Sequence, residues 1–141
     1  MIILDTNVLS ELMQKAPDPS VVEWLDRQPA ESVWITSITL FEARLGLALL
    51  PKGRRRQALE LAFEQLLAED LEERVLEFDR SAAEAAAGLA AERQQNGRRV
   101  DMRDTQIAGI VIARRAALAT RNVKYFADIT AEVVNPWEAK R

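Results

Sequence analysis

The chain has 141 residues and a formal net charge of −3, with 48% hydrophobic and 29% charged residues. These values are typical of one globular domain, and the acidic balance disfavours a protein that coats nucleic acid non-specifically. The chain contains no cysteine and no histidine. Disulfides, thiolate nucleophiles, Ser-His-Asp triads and Cys- or His-based zinc sites are therefore excluded. Catalysis is left to carboxylates, hydroxyls, lysines and backbone groups, and the metal ions that suit such oxygen ligands are Mg²⁺ and Mn²⁺.

The N-terminus predicts neither export nor membrane insertion. It begins Met1-Ile2-Ile3-Leu4-Asp5, without a basic stretch or a long apolar core, so no secretory signal peptide is expected. The longest apolar runs, such as Leu47 to Leu50, fall far short of the roughly 18 residues needed to span a membrane. We therefore expect a single cytoplasmic domain over residues 1–141.

The first half of the chain alternates short apolar runs with amphipathic stretches. Met1 to Leu4 predicts a buried strand, because the run is wholly apolar and ends at an acid. Ser32 to Thr36 predicts a second strand through its β-branched and aromatic residues. Helices are predicted over Val8–Met13, after Ser20 as N-cap, from Ser37 to Leu50, and over Lys52–Glu69.

The second half repeats this alternation. Val75–Phe78 predicts a third strand, and Ser81 with Glu84 predicts a capping box for an alanine-rich helix that ends at Gly97. The alternation as a whole predicts an α/β sandwich around a mostly parallel sheet. The last predicted elements are a helix over Arg103–Arg115 and strands over Ala117–Thr120 and Glu132–Val134.

Acidic and amide side chains recur where the predicted strands end. Asp5 follows the first strand, and Glu42 lies about two turns into the helix after the second. Asp101 and Asp104 lie one turn apart at the start of the helix before the fourth strand. Asn122 follows the fourth strand. Since binding sites in such sheets lie beyond the carboxyl ends of the strands, these residues are the candidate site.

Converging carboxylates repel one another and do not all stay ionised unless a cation is present. A hard divalent ion resolves the repulsion, and it can acidify a water for attack on a phosphodiester. Taken singly, the same residues have plainer interpretations. Asp5 suits a turn, Glu42 a solvated helix face, and Asp101 the N-terminus of a helix.

Several short motifs occur in order along the chain. Together they resemble the PIN domain, and in particular the VapC/FitB branch, which contains the toxins of bacterial toxin–antitoxin pairs. The resemblance covers essentially the whole chain. It implies a PIN-like α/β/α sandwich with a central, mostly parallel sheet of four to five strands. The motifs are Asp5-Thr6-Asn7, Thr36-Ser37 followed by Glu42 and Leu45-Gly46, Asp104-Thr105-Gln106-Ile107-Ala108, Thr120-Arg121-Asn122 and Asn135-Pro136-Trp137.

The resemblance implies a Mg²⁺- or Mn²⁺-dependent endoribonuclease, the toxin component of a type II toxin–antitoxin system. The three core acids of the family match Asp5, Glu42 and Asp104. We expect Asp5 and Asp104 to ligate the metal, and Glu42 to ligate through water or to orient the nucleophile. Asp101 and Asn122 match positions at the edge of the site.

The family also implies partners. These are an RNA substrate, a small DNA-binding antitoxin whose tail covers the acidic pocket, and a second copy of the chain packed through apolar helices such as Lys52–Glu69. Basic residues including Arg98, Arg99 and Arg103 suit either an RNA backbone or a solvated surface. Relatives often carry Asp-Phe where this chain has Tyr125-Phe126, so no acidic role is expected at position 125.

Two other functions would use some of the same residues. A phospho-aspartate phosphohydrolase would use Asp5 as nucleophile, but it leaves Glu42 and Asp104 unexplained, and its usual Asp-x-Asp pattern is broken by Asn7. A catalytically silent PIN-like module that only binds a partner would not need all three core acids.

Overall fold

The computed structural model describes residues 1–139 and contains five short strands in that range. Each predicted strand is present, shortened by one or two residues at its ends. The strands are β1 (Ile2–Leu4), β2 (Val33–Thr36), β3 (Val75–Leu76), β4 (Ala117–Ala119) and β5 (Val133–Val134).

The strands form one sheet in the order β3-β2-β1-β4-β5, and every neighbouring pair is parallel. The register pairs Leu4 at the end of β1 with Ala119 at the end of β4. The Asp5 backbone N–H extends this ladder by donating to the Ala119 carbonyl at 2.9 Å. The central strands therefore end level, and Asp5 emerges beside Thr120. The expectation of a mostly parallel sheet of four to five strands is confirmed.

Six α-helices lie between the strands in residues 1–139, and they cover both faces of the sheet. Short 3₁₀ turns at Ala30–Ser32 and Val123–Phe126 connect them to β2 and β5. In the described residues no helix is long and apolar enough to cross a membrane. The helices are α1 (Thr6–Leu12), α2 (Pro19–Asp26), α3 (Ser37–Leu49), α4 (Arg54–Gln65), α5 (Arg80–Gln95) and α6 (Met102–Arg114).

The prediction that Ser20 caps the second helix is wrong. Helix α2 begins at Pro19, two residues before the start that a Ser20 cap implies, and Asp18 is its N-cap. The Asp18 carboxylate accepts the Ser20 N–H at 2.9 Å. Proline is favourable at the first helical position because it has no N–H that would need a partner there.

The predicted capping box of Ser81 and Glu84 is also wrong. Helix α5 begins at Arg80, and the Asp79 carboxylate caps it by accepting the Ala82 N–H at 3.0 Å. Ser81 and Glu84 thus both lie inside the helix, where Glu84 forms an exposed ion pair with Arg80. The predicted end at Gly97 is confirmed, since Gly97 has the positive φ of 72° that follows many helices.

The predicted helix over Lys52–Glu69 is divided in the structure. Helix α4 begins at Arg54 after Gly53 and ends at Gln65, and Leu66–Asp70 forms a wider π-helical turn. The amphipathic character predicted for this stretch is nevertheless present. Phe63 and Leu67, four residues apart, are buried against the sheet.

Each face of the sheet has its own hydrophobic core. Leu4 and Ile35 pack against the first four helices, whereas Ile3 and Leu118 pack against α5 and α6. Helix α6 approaches α5 closely at Gly109, where an added Cβ would lie 2.5 Å from the Ala82 carbonyl oxygen. This close packing fixes α6, and with it the acids at its N-terminus, relative to the sheet.

Ile107→Ala tests this packing. Ile107 is fully buried in the core beneath α6, so its truncation is expected to lower the free energy of unfolding by about 2–5 kcal/mol. Met102→Ala, at an exposed position of the same helix, is the control. Urea melts in which both variants lose the same stability would mean that α6 does not depend on this core.

Candidate active site

Asp5 is the most enclosed of the candidate site residues. It is 3% exposed and serves as N-cap of α1, because its Oδ1 accepts the Thr6 N–H at 2.8 Å. Its Oδ2 accepts a hydrogen bond from the Thr120 hydroxyl at 2.7 Å, and Asn7 Nδ2 lies 3.4 Å away. Burial raises the pKa of Asp5, and the Thr120 and Thr6 hydrogen bonds only partly offset the rise.

Glu42 is oriented by threonine hydroxyls. Its Oε1 accepts a hydrogen bond from Thr6 Oγ1 at 2.8 Å, and Thr6 Oγ1 lies 3.0 Å from Thr39 Oγ1. Because the Thr6 proton points to Glu42, the Thr39 hydroxyl is the donor in this second contact. Thr39 is fully buried, and its N–H is capped by Thr36. The second carboxylate oxygen of Glu42 lies 3.7 Å from an Arg103 nitrogen.

Asp101 and Asp104 share the first turn of α6. Asp101 is the N-cap, and its Oδ1 accepts the Asp104 N–H at 3.0 Å. Burial raises the pKa of Asp104 to about 7, and the negative charges of Asp5, Asp101 and Glu42 contribute to the rise. The structure thus brings the four predicted acids into one electrostatic group at the carboxyl edge of the sheet. The plainer interpretation of Asp101, as a residue favourable at a helix N-terminus, also holds.

Asn122 lies at the rim of this group. It is exposed, and its backbone N–H donates to the Thr120 hydroxyl at 3.0 Å. It lines a shallow depression together with Asp101, Asp104 and Arg98. Its position agrees with the predicted place at the edge of the site. Asn7 is the residue whose side-chain amide contacts a core acid, since its Nδ2 lies 3.4 Å from Asp5 Oδ2.

The donor set suits a hard cation held partly by water. Within residues 1–139, no three acidic side chains lie close enough together to enclose one ion directly. Mg²⁺ is usually bound through one or two carboxylates and retains several water ligands. Asp5 and Asp104 are the two acids with a raised pKa. A bound cation would therefore stabilise the ionised forms of these two side chains most.

Sequence reasoning missed Arg93. Its side chain is 1% exposed, pairs with Asp128 and donates to Thr105 Oγ1 in the first turn of α6. An arginine near the end of an alanine-rich helix is ordinarily solvent-exposed, and Asp128 is 35 residues away in the sequence. Neither residue lies in a motif, so the sequence contained no signal for the pair.

The raised pKa of Asp104 predicts a pH-dependent stability when divalent metal is absent. Between about pH 4 and pH 7 the folded chain retains a proton on Asp104 that the unfolded chain has released. Protonation of Asp104 therefore contributes its whole share to the free energy of unfolding at low pH. This share is lost as the pH rises through about 7. Asp104→Asn removes the effect, so the variant is expected to be more stable than the wild type at about pH 8, with a smaller gain at about pH 5.

Urea melts of both proteins in EDTA at the two pH values measure this difference. A gain in stability that is independent of pH would contradict the electrostatic coupling at Asp104. Excess Mg²⁺ provides a control, because a bound cation is expected to offset the repulsion in the wild type.

The chain is similar in sequence to two curated bacterial proteins over nearly its full length. VapC ribonuclease Y4jK of Sinorhizobium fredii is 38% identical, and the alignment covers 98% of this chain and 99% of the relative. Toxin FitB of Neisseria gonorrhoeae is 35% identical, with 97% and 99% covered.

Solved structures agree with this similarity. The crystal structure of FitAcB from Neisseria gonorrhoeae superposes with a TM-score of 0.88 at 34% identity, covering 99% of this chain and 100% of that one. VapBC2 from Rickettsia felis, bound to a DNA fragment from its promoter, gives a TM-score of 0.80 at 28% identity, with 96% and 98% covered. The PIN domain family matches residues 2–132. The chain therefore belongs to the PIN domain family.

Proposed function

We propose that the protein is a Mg²⁺- or Mn²⁺-dependent endoribonuclease and the toxin component of a bacterial type II toxin–antitoxin system. The observation that carries the proposal is the group of four acids at one edge of the sheet, in which the pKa of Asp104 is raised to about 7. Such a group is costly unless a cation neutralises it. Relatives named as a ribonuclease and as a toxin support the same activity.

In this proposal Asp5 and Asp104 would hold the metal ion. The ion would acidify a water molecule and stabilise negative charge on the phosphate. Glu42, fixed by the Thr6 hydroxyl at 2.8 Å, orients the attacking water and takes up its proton. The water oxygen would form the new bond to phosphorus as the bond to the leaving oxygen breaks. The leaving oxygen would keep the electron pair of that bond and take a proton from solvent. Asp101 and Asn122 border the site.

The partner in this proposal is a small DNA-binding antitoxin. The relative FitB is named as a toxin, and the similar structure of VapBC2 was solved bound to a DNA fragment from its promoter. An acidic centre at the mouth of the site would attract a basic side chain of the antitoxin tail.

We also propose a cytoplasmic homodimer. Leu61, 60% exposed on α4, suits the expected contact between copies.

The two competing functions are less well supported. Both carboxylate oxygens of Asp5 accept hydrogen bonds, and the residue is 3% exposed, which disfavours Asp5 as a nucleophile that forms an acyl phosphate. A partner-binding module without activity would not require Glu42 to be oriented by the Thr6 hydroxyl.

Asp5→Asn and Asp104→Asn are expected to abolish metal-dependent RNA cleavage and to leave the fold intact, because each replaces a charged ligand by a neutral amide of the same shape. Asn122→Ala is expected to have a much milder effect, since the residue is exposed at the rim. The assay is cleavage of total RNA with Mg²⁺ and with EDTA, followed by mapping of the new ends. Cleavage by Asp5→Asn at the wild-type rate would exclude Asp5 as a metal ligand.

Metal binding is expected to weaken as the pH falls from about 7 to about 5. A proton competes with the ion for Asp104, whose pKa is raised to about 7, and the chain has no histidine to add its own titration. Calorimetric titration of Mn²⁺ into the wild type and Asp104→Asn at both pH values is the measurement. Tight binding that is insensitive to both pH and the substitution would locate the metal elsewhere.

A further inference from the structure

The first turn of α6 is attached at both ends to side chains from outside the acidic group. At one end, Tyr125 Oη accepts a hydrogen bond from the Asp101 backbone N–H at 2.8 Å. At the other end, Arg93 Nη1 donates to Thr105 Oγ1 at 3.1 Å. The segment between the two attachments contains Asp104. We refer to Tyr125, Arg93 and Asp128 as the clamp.

Arg93 is a rigid attachment point because its guanidinium has a partner on every side. Its Nε and Nη2 donate to the two carboxylate oxygens of Asp128 at 2.8 and 2.9 Å, and Nη2 also donates to the Tyr125 carbonyl at 3.2 Å. The side chain is 1% exposed, and a buried charge is tolerated only when it is paired in this way. Arginine suits the position because its planar fork can bond a carboxylate and further acceptors at once.

The members of the clamp also contact one another. The Arg93 guanidinium lies 4.5 Å from the centre of the Tyr125 ring, and this ring contacts Phe126 edge to face at 5.2 Å. Thr105 Oγ1, which accepts from Arg93, donates in turn to the Asp101 carbonyl at 2.7 Å. The backbone N–H and the carbonyl of Asp101 are therefore both held, and neither end of the turn can move independently of the other.

The clamp opposes a specific force. Asp104 lies beside the like charges of Asp5, Asp101 and Glu42, which repel it. Without a restraint, the first turn of α6 would move outward and so relieve this repulsion. Asp101, which begins the turn, is exposed and would not oppose that movement. Capping of α6 needs only the Asp101 carboxylate, so the buried ion pair and the tyrosine hydroxyl add a restraint that capping does not require.

We propose that Tyr125 and Arg93 are positioning residues that hold Asp104 in the place from which it ligates the metal ion. The inference rests on the proposed metal-dependent nuclease and deepens it. Tyr125 acts through the hydrogen bond that its hydroxyl accepts from the Asp101 backbone N–H.

Tyr125→Phe is the sharpest test, because it removes only the hydroxyl and keeps the ring against Arg93 and Phe126. We expect the affinity for Mn²⁺, measured by calorimetry at fixed pH, and the kcat for RNA cleavage each to fall about 10- to 100-fold. KM for RNA is expected to stay within about twofold of the wild type, because the hydroxyl is bonded to the Asp101 backbone and Tyr125→Phe keeps the ring in place. Ser81→Ala, which removes an exposed hydroxyl on α5, is the matched control.

Arg93→Lys is the second variant, since lysine keeps the charge but cannot bond Asp128, Thr105 and Tyr125 together. Its control is Arg74→Lys, because Arg74 donates to the Val33 and Ala30 carbonyls at the opposite edge of the sheet. Both variants are expected to lose stability, but only Arg93→Lys is expected to lose Mn²⁺ affinity. If Arg93→Lys fails to fold, Tyr125→Phe decides the question.

The outcomes separate the clamp from the function on which it rests. Wild-type protein that binds Mn²⁺ and cleaves RNA, with Tyr125→Phe equal to it in Mn²⁺ affinity and kcat, would overturn the clamp alone. Wild-type protein that binds no Mn²⁺ would overturn the proposed function and the clamp together. Loss of stability in Tyr125→Phe with unchanged affinity would also overturn the positioning role, since it would show a purely structural contribution.

Discussion

The arrangement of the site depends on one electrostatic constraint, which is the burial of Asp5 at the end of the central strand. Parallel pairing of β1 with β4 makes the two strands end level and places the Asp5 carboxylate against the Thr120 hydroxyl. A carboxylate in this position loses most of its hydration, and its pKa rises as a result. Every other acid that approaches it must overcome both the loss of water and mutual repulsion. A divalent cation offsets both costs, which is why the geometry of the sheet edge and the proposed chemistry belong together.

The acids are held against this repulsion by different devices on the two sides of Asp5. Glu42 is held by neutral groups, since the Thr6 hydroxyl donates to it and Thr39 supports Thr6. Asp104 is held through the backbone of its own turn, by Tyr125 and the buried Arg93. The difference follows from where each acid lies. Glu42 is inside helix α3, whose backbone groups are already paired, whereas Asp104 lies at a helix start, where backbone N–H groups are free to be attached.

The sequence was sufficient to predict the fold and the acidic group, because both depend on local patterns and on motif order. Apolar runs ending at Asp5 and Thr36 marked the strands, and parallel strands bring their carboxyl ends to one edge. The helix starts were harder, since Asp18 and Ser20 are both good caps two residues apart, and only tertiary packing decides which one leaves the helix. The break after Gln65 left no signal because the apolar stripe continues through it. The Arg93–Asp128 pair was beyond prediction, since charged residues of separate elements meet only in three dimensions.

The acidic centre also explains how a chain with a net charge of −3 can act on RNA. The cations lie around the centre and not within it. Arg98 and Arg99 line the depression beside Asp104, and Arg103 lies 3.7 Å from Glu42. Phosphates of an RNA strand would thus meet positive charge at the rim, while the carboxylates at the centre would repel them. The contact between Arg103 and Glu42 shows that a guanidinium can approach this centre closely. A basic side chain from an antitoxin would compete there with the metal ion for the same carboxylates, so inhibition by the partner and activation by metal would be mutually exclusive on electrostatic grounds.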